Sequence, residues 1–191
     1  MRLDPLQSDG ELALRAKAGD EQAFTALVRR HKEPIYRLIR RYVGDAEDAY
    51  DLLQESFASA WLALKTFDAS RPFDVWMRRV ALNKCRDWSR RLAVRRLIRR
   101  TLTLDTSEAL ASTDLTPNPE TIAIDREVLR QLERSIAALP ARLKEPLILV
   151  TMDDMSHDAA AKLLGVSTKT IETRIYRARQ RLAKALGLND T

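Results

Sequence analysis

Residues 156–182 read SHDAAAKLLGVSTKTIETRIYRARQRL, and this stretch decides the fold. Ser156 is a residue type that caps a helix N-terminus, and Ala159, Ala160, Leu163 and Leu164 follow at helical spacing. Gly165 supplies a turn, Val166 plugs it, and Ser167 or Thr168 caps a second helix. In that helix Ile171, Ile175, Ala178 and Leu182 share one face, while Thr170, Thr173, Arg174, Arg177 and Arg181 share another. Six bases and one acid occupy 168–187. The plain reading is a helical hairpin with a basic exterior. The small-residue packing, the placed glycine and the arginine stripe favour a helix-turn-helix, whose apolar face holds the second helix while Arg and Thr reach phosphates and base edges.

Upstream, periodicity predicts helices over about 120–138 and 141–152, then 156–164 and 168–186. Pro140 separates the first two, and Pro146 either kinks the second or delays its start. Before them lies TLTLDTSEALASTDLTPNP, residues 101–119, with five Thr, two Ser, two Pro, three acids and no base. That composition predicts a flexible linker. Ahead of it four more helices are expected. Asp9–Ala18 ends at Gly19; Asp20 caps a helix to about Tyr42; Gly44 stops it and Asp45 caps the next, to about Thr66; Pro72 opens the last. The expected architecture is all-α, two small helical domains at 9–100 and 120–187 joined by the linker 101–119.

The last helix of the first domain, PFDVWMRRVALNKCRDWSRRLAVRRLIRR (72–100), holds ten bases against two acids. Phe73, Trp76 and Trp88 are interleaved. Cations and aromatic faces together suit single-stranded nucleic acid, the cations meeting phosphates and the rings meeting unstacked bases. Asn83 interrupts the apolar run VAL and can read a base edge with a donor and an acceptor. Against this stands an ordinary core tryptophan and a solvated arginine face.

The preceding helix, DAEDAYDLLQESFASAWLAL (45–64), places five acids within eleven residues and no base among them. Ala46, Tyr50, Leu53, Phe57, Trp61 and Leu64 form the expected core stripe. Asp48, Asp51 and Glu55 lie opposite, flanked by Glu47 and Gln54, with Leu52 expected beside the acidic strip and away from the core. Early acids suit a helix N-terminus, but carboxylates at this spacing repel one another. Holding them together suggests docking on a basic protein surface. Catalysis by these carboxylates is disfavoured, since no histidine accompanies them and the strip is convex.

The chain has 191 residues, 45% apolar and 31% charged, enough for packed cores. Net charge is +6, which favours a polyanionic partner, nucleic acid before membrane surface. One cysteine, Cys85, excludes an internal disulfide or a cysteine-only zinc site, and it reads as buried and inert. His31 and His157 lack metal-ligand spacing, and no phosphate-binding glycine loop or nucleophile elbow is present. No metal or cofactor is expected. No apolar stretch reaches membrane-spanning length, and the acid-bearing N-terminus lacks an apolar signal core, so a soluble cytoplasmic protein without membrane insertion is expected.

Together these residues resemble a bacterial RNA polymerase sigma factor of the extracytoplasmic-function (ECF) group of the sigma-70 family. DAEDAYDLLQESFASAW resembles the segment that grips the polymerase clamp helices, FDVWMRRVALNKCRDWSRR the promoter-melting segment, and LPARLKEPLILV with the helix-turn-helix the terminal domain. The resemblance implies that Asp48, Asp51, Gln54 and Glu55 dock on core polymerase. It implies that Trp76 and a loop around Asn83, Lys84, Arg86 and Asp87 separate strands at the −10 element and hold a flipped base. Lys169, Thr170, Thr173, Arg174, Arg177 and Arg181 would read the −35 element. Core polymerase, through its clamp helices and flap, promoter DNA and an anti-sigma factor are the implied partners, and a stress or envelope response the implied setting. The polymerase would carry the chemistry, so the chain itself would not be an enzyme. Glu172 departs from the family pattern, standing where many relatives carry Lys or Arg. The Arg-rich 90–100 extension either prolongs its helix or folds against DNA. The alternatives are a stand-alone helix-turn-helix regulator, which needs neither the acidic strip nor the aromatic helix, and a nuclease-like enzyme with Asp48, Asp51 and Glu55 on a metal.

Overall fold

Side-chain caps and left-handed glycines punctuate the chain where local chemistry demands. Ser8 and Glu11 form a reciprocal capping box at the start of α1 (Asp9–Lys17). The Asp20 carboxylate accepts from the backbone of Gln22 and Ala23 to open α2 (Glu21–Val43). Pro34 sits inside α2 without ending it, at the loss of one intrahelical hydrogen bond. Gly44 ends α2 with φ of 83°, and Asp45 caps α3 (Ala46–Ala63), which tightens into a 3-10 turn at Leu64–Thr66. After Pro72, α4 runs unbroken over Phe73–Leu102. Then come α5 (Glu120–Ala138), α6 (Ala141–Thr151), α7 (His157–Leu164) and α8 (Thr168–Ala185).

The computed structural model describes residues 7–102 and 120–188, and all regular structure among them is helical. The linker expected over 101–119 lies outside the described residues from 103 onward. The Arg-rich extension prolongs α4 rather than folding aside. Pro146 neither delays nor ends α6, which begins at Ala141.

Helices α1–α4 form one bundle around Leu27, Leu38, Ile39, Leu53 and Met77, all buried. Helices α5–α8 form a second, with Leu147, Ile148, Leu149, Ile171 and Ile175 inside. Here α6 is buried all round from Leu143 to Leu149, because α7 and α8 pack on one side of it and α2 on the other. Two charged residues are caught in that sandwich. The Lys144 ammonium donates to the carbonyls of Tyr42 at 2.9 Å and Ala137 at 2.5 Å and sits 4.4 Å over the Tyr42 ring. Burial lowers its pKa to about 8, opposed by Cys85 and Glu145 nearby. Glu145 faces Arg86 of α4. The bundles meet so closely that a Cβ on Gly44 would lie 2.8 Å from that of Ala137.

The expected core stripe of α3 needs correction. Its buried residues are Ala49, Leu52, Leu53, Ser56, Phe57 and Ala60. Leu52 is 2% exposed, whereas Tyr50 is 50% exposed. The inward face is therefore turned by roughly 60° from the wheel drawn on large apolar residues. Three small residues, Ala49, Ser56 and Ala60, are fully enclosed. Ser56 satisfies its hydroxyl locally by donating to the Leu52 carbonyl at 2.6 Å, so it is buried without an outside partner.

Candidate nucleic-acid interface and docking strip

Turning α3 this way divides the acidic residues. Asp51, Gln54 and Glu55 are exposed, with Glu55 3.6 Å from Arg91 of α4. Asp48 is half-buried and accepts from the Trp88 indole N–H at 3.2 Å. One of the four predicted docking residues thus ties α3 to α4, and Leu52 is no part of the strip. Tyr50 and Leu62, 80% exposed, are the large apolar side chains that α3 leaves outward. Among the described residues no cluster of three His, Cys, Asp or Glu could hold a metal ion.

On α4, Trp76, Asn83 and Asp87 fall within about 40° of one another, with Arg86 and Lys84 about 80° to either side. The expected loop over Asn83–Asp87 is helical interior, since those residues continue the ladder of α4. Trp76 is half-buried against Phe67 and Phe73, with ring centroids 5.1 and 5.5 Å away. Phe73 is core, and the indole N–H of the half-buried Trp88 is engaged by Asp48. Asn83 Oδ1 accepts from Arg86 Nη1 at 3.1 Å, and Asp87 pairs with Arg90. Cys85 points into the core, and burial pushes its thiol up to about 12.

The helix-turn-helix stands as the sequence predicts. The Ser156 hydroxyl accepts from the Ala159 backbone, Gly165 takes φ of 68°, and Ser167 rather than Thr168 caps α8. The Thr168 hydroxyl instead donates to Asp158 at 2.7 Å, bracing the turn. Ile171, Ile175 and Ala178 are buried, and Leu182 partly so. Opposite them Arg174, Arg177, Gln180, Arg181 and Lys184 line a groove of about 440 Å³ with Arg142 and Leu143 of α6. Five cations converge there, a shape and charge suited to a phosphate backbone. The Thr173 hydroxyl spends its proton on the Lys169 carbonyl, leaving oxygen lone pairs to accept. The Thr170 hydroxyl pairs with that of Ser167. Lys169 is exposed and lies 3.9 Å from Glu172, which is also exposed and is not among the residues lining the basic groove.

Arg142, Gln180 and Lys184 escaped the sequence reading. Gln180 and Lys184 lie on the periodic extension of the Arg174–Arg181 stripe, so a longer wheel would have included them. Arg142 reaches the groove from another helix, which no local pattern reveals.

Sequence models of two families match the chain, Sigma-70 region 2 over residues 27–100 and Sigma-70 region 4 over 129–182. The first span holds α3 and most of α4, the second the helix-turn-helix. The RNA polymerase sigma factor NccH of Alcaligenes xylosoxydans is 35% identical over 93% of this chain and 94% of its own. The ECF RNA polymerase sigma factor SigM of Mycobacterium tuberculosis is 33% identical, covering 97% and 88%. Among solved structures, CnrH in complex with the cytosolic domain of CnrY superposes with a TM-score of 0.68 at 29% identity, over 96% of this chain and all of that one. Charge, fold and likeness agree over nearly the whole length: the chain belongs to the ECF group of the sigma-70 family and is an RNA polymerase sigma factor acting in promoter-specific transcription initiation.

Proposed function

We propose that residues 9–100 bind core polymerase and melt the −10 element, that 120–187 bind the −35 element, and that 101–119 tether the two. The observation that supports this most is the segregation of charge: exposed acids on α3, and cations converging on α8 and along α4. Asp51, Gln54 and Glu55 dock on a basic coiled coil of the polymerase, the clamp helices, with Asp48 holding the strip against α4. Trp76, with Asn83, Lys84, Arg86 and Asp87, works at the melted strand. Lys169, Thr170, Thr173, Arg174, Arg177 and Arg181 read the major groove, and the second bundle also meets the polymerase flap. Two modest contacts on one chain gain effective concentration, so both halves are needed. Polymerase supplies the catalysis and this subunit the address.

CnrH was solved with the cytosolic domain of CnrY. By that likeness an anti-sigma protein holds this chain in the cytoplasm until a stress or envelope signal frees it. Among the described residues no helix is long and apolar enough to cross a membrane.

The test is reconstitution with core polymerase, followed by run-off transcription. Asp51→Lys with Glu55→Lys should abolish core binding while helix content and melting stay near the parent's. Unchanged affinity for core would refute the docking strip, and tight binding of duplex promoter by the chain alone, with core ignored, would favour a stand-alone regulator.

A further inference from the structure

Glu172 is the one acid of α8, and it has no structural role in that helix. Ser167 already caps the N-terminus, and Glu172 is the fifth residue, past the first turn where an acid would answer the helix dipole. Its one charged contact among the described residues is Lys169 at 3.9 Å, with the two side chains 54% and 87% exposed, a pair too open to water to hold either in place. Ile171, Ile175 and Ala178 fix the inward direction of α8. Measured from the opposite, outward direction, Glu172 stands about 90° to one side and Arg174 about 110° to the other. The Arg174 flank is the basic groove shared with Arg142, and Glu172 is not in it. The Glu172 flank carries Tyr176, 63% exposed one turn on.

A helix about 10–12 Å across fills a major groove about 12 Å wide, so both flanks of its leading turns come against groove edges. The basic flank suits phosphates. A carboxylate is repelled by phosphates, and among base edges only an amino donor meets it favourably. Guanine offers O6 and N7 and thymine O4, all acceptors, and adenine N6 stands beside the N7 acceptor. Cytosine N4 is a donor with no acceptor beside it on the same base. We propose that Glu172 is a specificity-determining residue for the −35 element: its carboxylate accepts from the N4 amino group of a cytosine and rejects guanine and thymine at that position. This rests on reading α8 as the −35 helix. Lys169, released from its exposed pair, turns to a phosphate, and the Tyr176 ring shields the contact from water. The acid contributes selectivity more than affinity, since every wrong base leaves a desolvated carboxylate without a donor.

The experiment uses holoenzyme assembled from core polymerase and the full chain, on a transcribed promoter whose −35 region is randomised, with the products counted by sequencing. The parent should show one −35 position at which cytosine exceeds guanine and thymine by about tenfold, on the scale of one base-edge contact. Glu172→Ala should level that position and leave the others as they were. Glu172→Gln, which carries a donor and an acceptor, should move the preference to adenine. The position is exposed, so helix content and melting of both variants should match the parent's. Preferences unchanged at every position in both variants overturn the proposal, and so does a loss spread evenly over all sequences. Failure of the underlying reading is seen separately: a parent holoenzyme indifferent to every −35 position removes α8 from that element before any variant is compared.

Discussion

Replacing Leu52 by alanine tests which way α3 faces, and with it which side chains are left for the proposed polymerase-docking strip. Leu52 is 2% exposed and belongs to the core shared by α2, α3 and α4. The change removes three carbons. At about 0.8 kcal/mol per buried methylene this forfeits about 2.4 kcal/mol, and the unfilled cavity raises the loss to about 3–5 kcal/mol. At about 2–4 °C per kcal/mol for a chain of this size, the melting temperature should fall by roughly 10 °C. Tyr50, half-exposed on the neighbouring arc, should lose no more than about 1 kcal/mol on the same change. The assay is thermal unfolding followed by tryptophan fluorescence. Trp61, Trp76 and Trp88 all lie in the first bundle, so the signal reports that bundle and not the second. A Leu52→Ala protein melting within about 2 °C of the parent, with Tyr50→Ala well below it, would restore the large-apolar stripe and refute the rotated face.

Other expectations concern the DNA groove and the core thiol. Arg174→Ala should cost about 1–3 kcal/mol of promoter binding and relax the −35 preference, read by competition among promoter variants; equal loss on every sequence would mark Arg174 as a phosphate contact. Arg142→Ala, on the other wall of the same groove, should weaken all sequences alike and lower the slope of log affinity against log salt by about one; a sequence-dependent loss would contradict that role. With its thiol pushed up to about 12 by burial, Cys85 should resist alkylation at neutral pH until the first bundle unfolds; rapid stoichiometric labelling of native protein would mean that α4 opens locally.

Much of this fold is legible in residues because helix ends are decided locally. Asp20, Asp45, Ser156 and Gly165 each act within a few positions of themselves, and each does in the structure what its chemistry predicts. The arginine stripe of α8 is legible for the same reason, one helix carrying its own period. The face of α3 is not. Its packing exploits Ala49, Ser56 and Ala60, whose value lies in the volume they leave rather than the surface they bury, and a wheel weighted by hydrophobicity passes over them. Still less legible are the pairs joining the bundles. Arg86 and Glu145 are 59 positions apart, and Arg41 and Asp153 are 112. Each alone reads as ordinary surface charge, and only the docked bundles show that Lys144 and Glu145 are buried by design of the sandwich around α6.

The aromatic packing at the start of α4 has a consequence for kinetics. Trp76 is wedged among Phe67 and Phe73, and Phe73 is backed in turn by the His31 ring at 5.2 Å. A ring so braced has little rotamer freedom left to lose on contact, so the protein's share of the ordering entropy is already spent during folding. On the proposed role of Trp76 at the melted strand, the adjustment at the melting step then falls on the nucleic acid. Opening rates across promoters should follow how readily the local base step unstacks, flexible pyrimidine–purine steps ahead of stiff tracts, even where no side chain reads the bases concerned.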